Sequence, residues 1–171
     1  MRVAIVCPYD LGAAGGVQDQ ATRLVGWLDQ LGHDATLVGP GREGPDGAVL
    51  LGGTATIPAN RAATPISVDP RVRGRLLEVF GEVDVAHIHE PLMPTVSLTA
   101  SRVGDLPKVG TFHADPPGWA RRGYRGTGAL LRRIVSKLDV MTATSPVSRS
   151  AIDRLGDVRI CLLYTSDAAD E

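Results

Sequence analysis

Short apolar runs alternate with longer segments of helical period along most of the chain. Val3-Ala4-Ile5-Val6-Cys7 is an unbroken apolar run of strand length, which suits a strand covered on both faces. Arg2–Cys7 is therefore predicted as the first strand. Val17, Ala21, Leu24, Val25, Leu28 and Leu31 recur at three- and four-residue intervals and predict a helix, with Gly32 placed to close it. Between the two, Leu11–Gly16 reads as a loop in which Gly12, Gly15 and Gly16 allow positive φ.

The same alternation continues. Asp34–Val38 predicts a strand and Gly39–Gly47 a loop. Val49–Leu51, Thr54–Ile57 and Thr64–Val68 read as short strands. A helix opens at Asp69-Pro70 and carries Val72, Leu76, Leu77 and Phe80. Asp84–Ile88 is the next strand, Thr95–Arg102 a helix, and Lys108–Phe112 a strand. Pro116–Gly128 is a loop, and Ala129–Leu138 is a helix with Leu130, Ile134 and Leu138 on one side and Leu131 and Val135 beside them. Val140–Thr144 reads as a strand, Val147–Leu155 as a helix, and Asp157–Ile160 as the start of one more strand. Strands separated by helices predict an α/β fold, a doubly wound, mostly parallel Rossmann-like sheet with right-handed crossovers. The tail from Cys161 to Glu171 departs from this plan. Its last residues are small, polar and without a periodic face, and they resemble translated sequencing-adapter sequence, so 161–171 is expected to lie outside the natural fold.

Bulk properties narrow the class. With 171 residues, 43% hydrophobic and 22% charged, the chain suits one globular domain rather than a disordered tail. A net charge of -1 gives no footing for nucleic acid. No apolar run reaches the roughly 18 residues of a membrane span, and the amino terminus lacks a signal-peptide pattern. Cys7 and Cys161 form no disulfide framework, and the four histidines show no zinc-ligand spacing. Cytoplasmic residence is the expectation.

On a parallel sheet, the polar groups that follow the strands gather along one edge, where open α/β sheets bind ligands. Gly15-Gly16 follows the first strand and opens a helix, a place whose free N–H groups and dipole stabilise phosphate. Gly12-Ala13-Ala14-Gly15-Gly16 lacks the dinucleotide spacing, and no Lys-Ser or Lys-Thr follows, so neither of those fingerprints applies. A plain tight turn is the other reading. Period two turns His87 and His89 to one face, with Glu90 following beside the cleft; one of the pair can equally be a satisfied internal donor. His113, just past a strand, can donate to a sugar hydroxyl, phosphate or carbonyl, accept a proton, or tie the next loop to the sheet. Tyr9 offers a ring face to a ring-shaped acceptor and Asp10 a carboxylate to hydroxyls, although Tyr9 can also simply cover the glycine loop. Two basic clusters, Arg71, Arg73 and Arg75, then Arg121, Arg122 and Arg125 in the acid-free stretch Pro116–Leu138, suit phosphates, an anionic bilayer, or a solvated surface.

In their order, Val3–Tyr9, Gly15-Gly16-Val17-Gln18, Leu31-Gly32-His33-Asp34, Val85–Pro91, Gly110–Ala114 and Thr144–Ser148 resemble the N-terminal domain of family 4 glycosyltransferases of the GT-B type. Within that family the chain is most similar to the bacterial phosphatidylinositol mannosyltransferases, through Cys7-Pro8-Tyr9 and His89-Glu90-Pro91-Leu92-Met93-Pro94. The resemblance covers roughly residues 1 to 160. It implies retaining transfer of a hexose from a nucleotide sugar (GDP-mannose or a UDP-sugar) to a sugar, inositol or lipid-linked acceptor. It implies no cofactor, no metal and no protein nucleophile, because the departing diphosphate helps take the acceptor proton.

The resemblance assigns His113 to the reacting centre, Gly15 and Gly16 to the diphosphate and acceptor pocket, and Tyr9 to an inositol-like ring. Asp10, Gln18, His89 and Glu90 complete the expected substrate-binding set. It also implies a second, donor-binding domain absent from this chain, hence an inactive fragment, and peripheral docking on the inner face of the plasma membrane through the arginines. The competing expectation is a non-catalytic Rossmann-like module that binds a nucleotide or phosphorylated metabolite.

Overall fold

The structure, a computed structural model, describes residues 1–59, 62–67, 69–113, 128–152 and 160–162. In chain order the elements are β1 (Arg2–Val6), α1 (Gly16–Gln30), β2 (Asp34–Gly39), β3 (Val49–Leu50), β4 (Thr54–Ala59), β5 (Ala62–Ser67) and α2 (Val72–Gly81). They continue with β6 (Val85–His89), α3 (Val96–Ala100), β7 (Lys108–Phe112), helix α4 over 128–135, β8 (Val140–Ala143), α5 (Pro146–Ile152) and β9 (Ile160–Leu162).

Seven strands form one sheet in the order β3-β2-β1-β6-β7-β8-β9. Every neighbouring pair in it is parallel. The winding reverses between β1 and β6, and at such a reversal a crevice opens outside the carboxyl ends of the strands. The expected doubly wound α/β sheet is therefore the observed one. β4 and β5 stand apart as an antiparallel pair, Thr54 opposite Ser67 through Ala59 opposite Ala62.

β1 explains the two-sided winding. Ala4 and Val6 are buried with Val72, Leu76 and Phe80 of α2 and with Val96 and Ala100 of α3, in the core of one face. Val3, Ile5 and Cys7 meet Ala21 of α1 on the other face, with Val17, Leu24, Val25 and Leu28 packed behind. Consecutive strand residues point to opposite faces, so an unbroken apolar run is what a strand between two helical layers requires.

Several local expectations shift. Leu31 lies just past α1 and is 74% exposed, because Gly32, at φ +81, turns the chain away there. In α4 the buried side is Ile134 and Val135, continued by Leu138, whereas Leu130 is 56% exposed. That stripe belongs with Leu131, three and four residues before the buried pair. Gly12, Gly15 and Gly16 are not in the positive-φ region; Gly15 is extended, at φ -178. Their value is space: a Cβ on Gly12 would meet Glu43 Cγ at 2.9 Å, and one on Gly15 would strike the Gln18 side-chain amide.

β9 pairs with β8 through Leu162, so Cys161 and Leu162 belong to the sheet rather than to the tail expected to start at 161. The expected tail from 163, most of the Pro116–Gly128 loop and the end of the predicted 147–155 helix lie outside the described residues.

Candidate functional site

On the β1 side of the crevice the site is made largely of backbone. α1 begins at Gly16 with Gly15 as its cap residue and has no side-chain cap. Asp19 N–H already donates to Gly15 O at 2.9 Å. The amides of Gly16, Val17 and Gln18 precede the first full turn, so the helix cannot supply their acceptors. A Cβ added to Gly16 would have nothing within 4 Å among the described residues, so no steric contact there requires glycine. Gln18 Nε2 donates to Asp10 O at 3.3 Å and ties the helix start to the loop after β1.

Asp10 and Tyr9 are partly buried structural members of this rim. Asp10 Oδ1 accepts from Gly12 N–H at 3.0 Å, and Oδ2 accepts from the Thr54 hydroxyl at 2.5 Å. The Asp10 carboxylate thus braces the glycine loop against β4, a role the sequence reading did not include. Tyr9 packs against the α1-side core. Burial raises its phenol well above the ordinary range, and the Glu90 and Cys7 side chains add to the rise, so it stays a neutral O–H. Burial likewise pushes the Cys7 thiol up to about 11 and makes it unreactive.

The β6–β7 side is built from side chains. The rings of His87 and His89 lie 4.8 Å apart between centroids, 3° from parallel, and those of His89 and His113 meet edge to edge at 4.9 Å and 20°. His89 Nδ1 and His113 Nε2 share a hydrogen bond of 2.7 Å. His87 Nε2 lies 2.6 Å from Thr111 Oγ1, which lies 2.6 Å from Thr142 Oγ1. Thr142 in turn donates to Gly110 O at 3.4 Å. Each hydroxyl has a single proton. The proton order follows the His87 tautomer: with a proton on Nε2, His87 donates to Thr111, Thr111 to Thr142 and Thr142 to the carbonyl. Thr111 lies within the Gly110–Ala114 piece and Thr142 within a predicted strand, but nothing in either pattern marks them as partners of His87. Parallel register places Thr111 beside His89 and Thr142 beside Thr111.

Glu90 is the hinge of this side. It is 9% exposed and adopts a positive φ of 48. Its N–H donates to Thr111 O at 2.7 Å, and its carbonyl accepts from Met93 N–H at 2.8 Å. Its Oε1 accepts the main-chain N–H of His113 at 2.7 Å. Glu90 thus fastens the end of β6 to the residue after β7. Gly110 permits the close packing around it: a Cβ there would lie 2.7 Å from Leu138 Cδ1 and 2.8 Å from Pro91 Cγ.

All three histidines are held neutral. Burial lowers His87 to about 4, with a smaller push from His113. Burial, then His87 and His113, takes His89 to about 2, and burial alone takes His113 to about 4. Among the described residues no group of three or more His, Cys, Asp or Glu is arranged to hold a metal ion. At neutral pH the cluster can donate or accept a hydrogen bond but carries no positive charge.

The structure brings Tyr9, Asp10, Gly15, Gly16 and Gln18 to the end of β1, and His89, Glu90 and His113 to the ends of β6 and β7, along the same sheet edge. It does not assemble the α2 arginines into one patch. Arg71 is exposed beside Asp69, Arg73 is exposed two residues on, and Arg75 Nη1 donates to Leu50 O at 3.2 Å, tying α2 to β3. Arg121, Arg122 and Arg125 lie outside the described residues. Among the described residues no helix is long and apolar enough to cross a membrane.

Together these features define a Rossmann-like α/β domain with a ligand edge at its switch point. The chain matches Glycosyltransferase Family 4 over residues 14–165 and belongs to that family. It is 34% identical over 160 residues to a phosphatidyl-myo-inositol mannosyltransferase of Propionibacterium freudenreichii, an alignment covering 85% of this chain and 41% of that protein. A protein of the same name from Mycobacterium leprae is 33% identical over 118 residues, covering 66% of this chain and 32% of its own length. The chain thus spans well under half of these relatives.

Among solved structures, an alpha-glucosyltransferase in complex with UDP and a 13-mer DNA aligns with 95% of this chain and 42% of its own, at a TM-score of 0.59 and 14% identity. The same kind of enzyme with UDP-glucose and DNA aligns at 0.54 and 16% identity, over 85% and 36% of the two chains. At such identities the likeness concerns the fold, and it agrees with the expected GT-B-type domain.

Proposed function

We propose that this chain is the acceptor-side half of a retaining hexosyltransferase. The full enzyme moves a hexose, mannose by analogy with its named relatives, from a nucleotide sugar such as GDP-mannose to a hydroxyl of an inositol-bearing lipid. The observation that carries this reading is the shared edge: an uncapped helix start at Gly16 and a neutral, anchored His113 border one crevice in a family 4 chain.

Same-face transfer asks for donors rather than a nucleophile. The bond between the anomeric carbon and the diphosphate oxygen breaks as the acceptor oxygen bonds that carbon on the same side. The acceptor proton passes to the departing diphosphate. The amides at the start of α1 are oriented to receive the charge that develops on that diphosphate, and the helix dipole adds to them. His113 is held by its main chain and by one ring nitrogen, ready to meet a hydroxyl or phosphate oxygen. Tyr9 walls the pocket, while Asp10, Gln18 and Glu90 hold the loops that shape it. A second Rossmann-like domain would supply the nucleotide pocket, so the fragment alone binds donor weakly and does not turn over.

The decisive experiment is transfer by the longer protein. Mannose should move from GDP-mannose to phosphatidylinositol, and His113→Ala should lower the rate by about 10²–10³-fold, damaging transfer more than folding. Wild-type rates in that variant would remove His113 from the site. Tight nucleotide binding by the 171-residue chain, with no transfer by the longer protein, would favour a binding module instead. The proposed peripheral docking on the inner membrane face predicts co-sedimentation with phosphatidylglycerol vesicles that falls with salt. Binding indifferent to both lipid charge and salt would refute it.

A further inference from the structure

His89 is the most buried ring of the cluster, 1% exposed, and among the described residues its ring meets the site through His113. Its Nδ1 is engaged with His113 Nε2, while its own Nε2 is buried and has no hydrogen-bond partner among the described residues. Two proton arrangements satisfy the 2.7 Å contact. If His113 donates from Nε2, then His89 must carry its proton on Nε2, and a buried N–H is left orphaned. If His89 donates from Nδ1, the orphan is a lone pair. Buried orphan donors are rarer in proteins than under-used acceptors. The second arrangement also leaves His113 with its proton on Nδ1, the ring nitrogen that no described residue engages.

We infer that His89 is a positioning residue that holds His113 in the Nδ1–H tautomer, so that His113 presents a hydrogen-bond donor, not a base, to the crevice. The ligand atom opposite it is then an oxygen with a free lone pair, of a phosphate or of a hydroxyl that gives its own proton elsewhere. The identity of that ligand rests on the transferase reading above; the tautomer does not. Two anchors act on His113: Glu90 takes its main-chain N–H and His89 occupies its Nε2, which leaves a single ring atom for ligand. His87 is not part of this pair, because its Nε2 is engaged with Thr111 Oγ1.

The test is nitrogen NMR of the histidine rings in this chain labelled with nitrogen-15, at neutral pH. His113 should show a pyrrole-like Nδ1 and a pyridine-like Nε2. His89→Phe keeps an aromatic ring but removes the donor, and should shift His113 toward the Nε2–H form. His89→Asn places an amide N–H where Nδ1 was and should restore the wild-type signature. A pyridine-like Nδ1 on His113 in the unmodified chain overturns the inference, as does an unchanged tautomer in His89→Phe. If the Phe variant does not fold, the unmodified chain and the Asn variant still decide. An inactive longer protein whose His113 nonetheless shows the Nδ1–H signature would refute the transferase reading and leave this one standing.

Discussion

The two sides of the crevice are built on opposite principles. At the end of β1 the functional surface is backbone: glycines, helix amides and a loop braced by Asp10. At the ends of β6 and β7 it is a buried cluster of side chains from residues 24 and 31 apart, joined ring to ring, ring to hydroxyl and hydroxyl to hydroxyl. A backbone site comes from one continuous segment and changes little when a side chain is altered. A side-chain cluster exists only while the strands beneath it stay in register, so packing damage should reach it first.

The largest way to break this comparison is Ile88→Ala. Ile88 is fully buried between His87 and His89 in the strand that carries them. Urea unfolding should show a loss of about 2–5 kcal/mol, together with loss of the cluster's NMR signature. A loss below about 1 kcal/mol would mean that the cluster does not depend on core packing.

Acid should discriminate next. His87 and His113 sit near 4 in the folded chain and His89 near 2, against about 6.5 when unfolded. Below pH 6.5 the unfolded chain therefore binds more protons. The stability supplied by these rings is complete above about 6.5 and is lost as pH falls towards 4, with a slope of about 1.4 kcal/mol per pH unit for each histidine. His113→Asn should remove one proton from that slope. Urea midpoints that stay level from pH 7 to pH 5 would contradict the buried, neutral cluster.

Thr111→Val deletes the hydroxyl between His87 and Thr142 and leaves a buried imidazole nitrogen without its partner. The expected cost is about 1–3 kcal/mol by chemical denaturation. The smallest effect belongs to the β1 side. Gly16→Ala meets open space at the start of α1 and should stay within about 0.5 kcal/mol of the parent. In the longer protein it should still weaken nucleotide-sugar affinity, because a methyl group would stand where the diphosphate must approach. Unchanged affinity would reduce Gly16 to an ordinary helix start.

How much was legible follows from range. The helix start after β1, its closure at Gly32 and the strand Lys108–Phe112 are local patterns, and they stand where the periodicity put them. The shared edge for Gly16, Glu90 and His113 was also legible, since parallel alternation leaves no other place for strand-end residues. The partners were not. Thr111 reads as an ordinary strand residue until β6 and β8 lie beside it, and Asp10 reads as a ligand group until Thr54 is seen occupying one of its oxygens. The arginines at 71, 73 and 75 look like a patch in sequence, but the helix turns Arg73 away from the other two, Arg71 lies beside Asp69, and Arg75 is taken up by the Leu50 carbonyl.

By itself, the order of apolar runs, glycine turns and strand-end histidines determined the doubly wound sheet and the edge where ligands meet it, because strand and helix periods are local and βαβ handedness leaves little freedom. Only the tertiary structure decided which hydrogen bonds those histidines make, and that they are buried and uncharged. Burial and proton ordering depend on neighbours tens of residues away, and no periodicity in the chain records them.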